Sequence, residues 1–165
     1  MEAGVVLKMK GICMEFPGVK ALEDVDFTLK KGEIRALMGE NGAGKSTLIK
    51  CLTGVNKFQR GEIFLDGQQI VNKDTMDAQN KGISTVYQEV NLCPNLSVAE
   101  NLYIGREPLT KIGTVNRKEM NKRAASLMKE LDLDVDVTRN LEEYSLALQQ
   151  MIAIARAVDM DSKVL

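Results

Sequence analysis

The sequence predicts an α/β protein in two parts, on three observations. Up to about residue 94 it consists of short β-compatible runs broken by glycine turns. A glycine-rich loop, Gly39 to Thr47, joins a short apolar run to a helical pattern. From about Asn95 onward helical signals dominate. The expected division is a β-rich part over 1–94 that carries the loop, and an incomplete helical lobe over 95–165.

Taken in order, Val5 to Phe16 is a long β-compatible run. Val25, Phe27 and Leu29 then alternate with Asp24, Asp26, Thr28 and Lys30, the pattern of a strand with one wet face. Lys31-Gly32 turns the chain into Ile34–Met38, short and mostly apolar, as expected of a strand covered on both sides. A helix should run from about Lys45 to Thr53, with Leu48, Cys51 and Leu52 inward and Gly54 ending it. Gly61–Leu65, turned by Asp66-Gly67, reads as a hairpin arm, and Ile83–Tyr87 as another short strand. Ser97 with Glu100, and Asn116 with Glu119, have the spacing of capping boxes. The second opens a helix with Met120, Ala124, Leu127, Met128 and Leu131 in one apolar stripe. A last helix, Leu148 to about Asp159, should bury Leu148, Met151, Ile152, Ala155 and Val158.

Composition narrows the function. A net charge of −1 gives no basic field for a nucleic-acid reader, and tryptophan is absent. No apolar run reaches the ~18 residues of a membrane span, and Met1-Glu2-Ala3-Gly4 does not begin a secretory signal. A cytosolic protein is expected. Cys13, Cys51 and Cys93 are too scattered for a metal or disulfide framework and read as reduced thiols. Without histidine, Ser-His or Cys-His catalysis is excluded.

The chemistry lies in the loop. Gly39-Glu40-Asn41-Gly42-Ala43-Gly44-Lys45-Ser46 satisfies G-x-x-x-x-G-K-[ST] between an expected strand and an expected helix. The glycines let the backbone curl so that successive N–H groups face phosphate oxygens, and the helix adds its positive end. Lys45 can bridge the β- and γ-phosphates, Ser46 can ligate Mg2+, and Thr47 can help hold the α-phosphate. Gly39, Asn41, Gly42, Ala43, Gly44, Lys45, Ser46 and Thr47 are therefore the expected triphosphate site of a P-loop NTPase.

With Phe16-Pro17-Gly18-Val19-Lys20-Ala21-Leu22 and Val86-Tyr87-Gln88-Glu89 in order around that loop, the chain resembles the ATP-binding cassette (ABC) ATPases. Its wording is most similar to the first cassette of ribose- or galactose-type sugar importers. The resemblance implies an antiparallel β subdomain, a helical signature subdomain, and ATP with Mg2+ as ligands. It implies that Phe16 stacks on adenine and that Gln88 reaches magnesium and the attacking water. The stretch 89–106 would face transmembrane permease subunits. A second cassette would complete a dimer, and a periplasmic or extracellular sugar-binding protein, which with the permease chooses the sugar, would act indirectly. Such a subunit sits on the inner face of the cell membrane.

Tyr144-Ser145-Leu146-Ala147-Leu148 stands where the family has Leu-Ser-Gly-Gly-Gln. Ser145 is kept and can donate to a γ-phosphate across the dimer, whereas Leu146, Ala147 and Leu148 put side chains where backbone should approach. The chain closes on Ser162-Lys163-Val164-Leu165. By the resemblance it lacks the following strand with its Asp and Glu, and the switch His, so hydrolysis by this chain alone is not expected. Ile34, Ala36 and Met38 should then form an exposed edge prone to self-association. The expected function is an ATP-binding fragment of a bacterial sugar importer. The alternatives are a non-catalytic nucleotide-binding module and a soluble, non-transport cassette ATPase.

Overall fold

A computed structural model describes residues 4–86, 92–160 and 162–165. The chain divides into two compact units, one of residues 1–84 with Val164 and one of residues 85–163 with Leu165.

The first unit is built on an antiparallel sheet in the order β2-β1-β3-β4, with β1 Val5–Phe16, β2 Val19–Lys30, β3 Arg60–Leu65 and β4 Gln68–Ile70. Strand β1 shows how sequence sets the face. Leu7 and Met9 point into the core at odd positions, and Ile12 and Met14 at even ones. The phase slips at Gly11, whose φ of 60° opens a bulge in the register between Met9 and Ile12. The Gly11 N–H, freed from the ladder, donates to the Asp26 carboxylate at 2.7 Å. Val25, Phe27 and Leu29 of β2 pack against the same core. The β3–β4 turn is Asp66-Gly67, both left-handed at φ 48° and 78°, the type I′ geometry that matches strand twist.

Helix α1, Lys45–Leu52, closes this core with Leu48, Cys51 and Leu52. It ends as the sequence predicts, at Thr53 and Gly54. A β-carbon on Gly54 would lie 2.7 Å from the Asn72 carbonyl oxygen. The buried Asn72 side chain donates to the Leu52 carbonyl at 2.6 Å, satisfying one orphan acceptor of the helix end. Helix α2, Thr75–Asn80, was not expected. Its Asp74 cap accepts from Asp77 N–H at 2.8 Å, a local signal that the sequence does carry.

Two expected strands are corrected. Residues 34–38 form no ladder with any described residue, and Ile34 and Met38 are 100% and 88% exposed. A short apolar run becomes a strand only when a neighbour takes its N–H and C=O groups. Among the described residues of the expected strand from Ile83, only Ile83 forms a bridge, parallel to Val164, with Ser84 N–H donating to the Val164 carbonyl at 2.9 Å. The end of that expected strand, Tyr87, lies outside the described residues.

The second unit packs α3 Val98–Tyr103, α4 Arg117–Glu130 and α5 Leu146–Asp159. Its core joins Val98, Leu102, Met120, Ala124, Met128, Leu141 and Ile152. Ser97 and Glu100 form the expected reciprocal box. Asn116 caps Glu119 N–H, but the Glu119 carboxylate turns instead to Arg123 at 2.8 Å, so that box is half made. Helix α5 begins two residues earlier than expected. It buries Ile152, Ala155 and Ala157, while Met151 and Val158 remain 43% and 46% exposed, which corrects the expected stripe.

Candidate phosphate-binding site

The loop 39–44 emerges between the unpaired segment 34–38 and α1. Gly42 and Gly44 adopt φ values of 89° and 83°, where an L side chain is strained. Gly44 is also the N-cap of α1. A β-carbon there would lie 2.5 Å from the Ala21 carbonyl oxygen and 2.9 Å from the Leu22 side chain. Strand β2 therefore forms the back wall of the loop, a role for Ala21 and Leu22 that no sequence signal suggested. A β-carbon at Gly39 would meet Ala43 at 3.2 Å, inside the curl of the loop.

Polar groups converge here. Among the described residues no side chain caps the start of α1, and no acidic residue stands in its first turn, which leaves its amide end suited to an anion. The Lys45 ammonium folds back to donate to the Gly39 and Glu40 carbonyls at 2.7 and 2.8 Å. This holds the cation against the loop's own backbone. Ala43 N–H donates to the Glu40 carbonyl at 3.1 Å and tightens the turn. Asn41 and Ser46 are exposed and Thr47 half-buried, leaving the Ser46 hydroxyl accessible to a metal.

The cradle fits a phosphate chain. It has an open helix end, glycines where β-carbons would intrude, and a lysine within reach of the loop's own oxygens. The site residues from Gly39 to Thr47 are thus brought together on one loop and one helix start.

Phe16 lies at the end of β1, opposite Val19, across the Pro17-Gly18 turn. It is 39% exposed, so its ring is open to contact. It belongs to the hairpin whose second strand backs Gly44. Gln88 lies outside the described residues. Ser145 is in the second unit, where its hydroxyl caps α5 by accepting from Leu148 N–H at 3.4 Å. Leu146 beside it is 64% exposed.

This combination defines a P-loop nucleotide-binding α/β protein. Residues 22–165 match the model of the family described as ABC transporter, and the chain belongs to that family. It is 58% identical over 160 residues to the galactofuranose transporter ATP-binding protein YtfR of Escherichia coli strain K12, covering 97% of this chain and 32% of that protein. It is 52% identical to the fructose import ATP-binding protein FruK of Bifidobacterium longum, covering 97% of this chain and 31% of that one. The chain thus spans about a third of the length of the curated relatives it matches. Among solved structures, a nucleotide-free ATP-binding cassette from an ABC transporter superposes with a TM-score of 0.79. The identity is 27%, over 96% of this chain and 66% of that one. The fold is that of the ABC ATPase cassettes.

Proposed function

We propose that this chain is the nucleotide-binding portion of an ATP-driven bacterial sugar importer. The observation that carries this reading is the loop geometry, in which Gly44 opens α1 against β2 and Lys45 lies over the loop carbonyls. The importer names of relatives at 58% and 52% identity support the transported class.

In this reading the backbone from Gly39 to Gly44 and the amide end of α1 hold the phosphates. Lys45 exchanges its carbonyl partners for β- and γ-phosphate oxygens, and Thr47 holds the α-phosphate. Ser46 and Gln88 hold Mg2+, with Gln88 placed by its position in the resembling segment. Phe16 offers a π-face to adenine. MgATP, when bound, supplies the free energy of phosphoryl transfer. Ser145 meets the γ-phosphate of a second cassette across a dimer, and residues 89–106 turn toward permease subunits that receive sugar from an external binding protein. The first unit is the nucleotide-binding part and the second the signature lobe. No helix among the described residues is long and apolar enough to cross a membrane. The proposed place, in keeping with the importer ATP-binding names of its relatives, is peripheral, at the cytoplasmic face beside the permease.

Retention of the purified chain on immobilised membrane subunits of the E. coli galactofuranose transporter tests this. Specific retention there, and none on single- or double-stranded nucleic acid, is expected. Retention on nucleic acid alone would overturn the reading.

A further inference from the structure

We propose that residues 104–118 form a hairpin that docks on an anionic phospholipid surface. After α3 the chain makes a short antiparallel hairpin closed by a bridge between Leu109 and Val115. Thr110 N–H donates to the Thr114 carbonyl at 2.7 Å, and Gly113 N–H to the Thr110 carbonyl at 3.0 Å. The hydroxyls of Thr110 and Thr114 meet at 2.8 Å.

Both ends are anchored. Asn116 N–H donates to the Pro108 carbonyl at 2.7 Å at the entrance of α4. Arg106 binds Asp159 of α5 at 2.8 Å, donates to the Leu102 carbonyl at 2.9 Å, and lies 5.2 Å from the Tyr103 ring centre. This hairpin is held in place by the second unit rather than collapsed onto it.

What it holds out is apolar. Ile112 is 85% exposed, Leu109 63% and Val115 46%, all within seven residues. An aliphatic cluster fixed in water by its own hydrogen bonds gains free energy only by leaving water. The flanking charge selects the surface. Lys111 stands at the tip, and Arg117 and Lys118 open α4, all exposed. Arg117 reaches Glu100 at 3.4 Å with its own side chain 79% exposed. Among the described residues no carboxylate pairs with Lys111 or Lys118, and Glu107 is the only acid from 104 to 118. Exposed aliphatics rimmed by lysine and arginine match the layered chemistry of a membrane interface, with acyl chains below and anionic headgroups above.

Flotation with lipid vesicles tests this without nucleotide or permease. The whole chain should float with phosphatidylglycerol-containing vesicles, and far less with pure phosphatidylcholine ones. Raising the salt should release it, since surface attraction decays within a Debye length of ~10 Å at 0.1 M. Lys111→Glu and Lys118→Glu should each weaken partition by roughly fivefold or more. Ile112→Glu should abolish it while circular dichroism stays unchanged, because the side chain supports no core. Equal binding to both vesicle types, or no loss in Ile112→Glu, would overturn the proposal. So would flotation only when permease subunits are present in the vesicles, which would give the hairpin a protein partner.

Discussion

Gly44 and Ala21 approach so closely that a single β-carbon on the glycine would lie 2.5 Å from the alanine's carbonyl oxygen. The phosphate loop is therefore built against the backbone of β2, at a residue that must also hold φ at 83°. Gly44→Ala meets both a steric overlap and a left-handed strain of about 1–2 kcal/mol. Its loop should be displaced, with MgATP affinity reduced at least tenfold. Parallel titrations of both proteins, with thermal melts to confirm folding, check this. Unchanged affinity would show that the wall is not needed.

Asn101 is 1% exposed and its carboxamide is fully engaged. It accepts from Cys93 N–H at 2.7 Å and donates to the carbonyls of Cys93, Leu96 and Ser97. Asn101→Leu strands these backbone groups in an apolar core and should destabilise the protein by about 3 kcal/mol. Urea denaturation followed by circular dichroism should show an earlier midpoint for the variant. An unshifted midpoint would mean that water replaces the amide at little cost.

The Ser97–Glu100 box should make stability depend on acid. The Ser97 backbone N–H, followed by its hydroxyl, holds the Glu100 carboxyl below the usual carboxylate range, against a smaller opposing effect of burial. A carboxylate lowered in the folded state contributes fully above its unfolded value of about 4.3. That contribution is lost as pH falls through the lower, folded value. Wild type and Glu100→Gln should therefore converge in melting temperature as pH drops from about 6 to about 3. A constant gap would contradict the box. Ser97→Ala should cost about 1 kcal/mol at neutral pH.

Cys51 is 2% exposed and burial pushes its thiol up. At neutral pH iodoacetamide should modify Cys13 and Cys93, which are half-buried, well before Cys51. Peptide mapping over a time course would show this order. Labelling of Cys51 at the same rate would mean that α1 opens from its sheet in the native state.

What could be read from sequence was what neighbours along the chain decide. The Lys45 helix, the Asp66-Gly67 turn and the Ser97 cap each need only residues within a turn or two of themselves, and each formed as read. The Asp74 cap is equally local, but the six-residue helix behind it is too short to show an apolar period. Ile34–Met38 depends on ladder partners elsewhere, so its apolar run told only what it would bury if paired. The stripe of α5 fails for a related reason, since periodicity marks Met151 and Val158 as apolar without saying what covers them. Ala21 and Asn72 are a third kind. One lays its carbonyl against the N-cap glycine of a distant helix and the other donates its side-chain amide to that helix's end, and neither residue type announces such a task. In the candidate site the loop was legible as a whole, and its supporting wall was not.

The most direct measurement is calorimetric titration of MgATP into this chain beside Lys45→Ala. Saturable binding by the wild type and its loss in the variant are expected, with both proteins folded by circular dichroism. Removing the ammonium takes away the cation that Gly39 and Glu40 hold against the loop. Equal binding by the two proteins, or none by the folded wild type, would contradict the claim that Gly39–Thr47 is a working phosphate site.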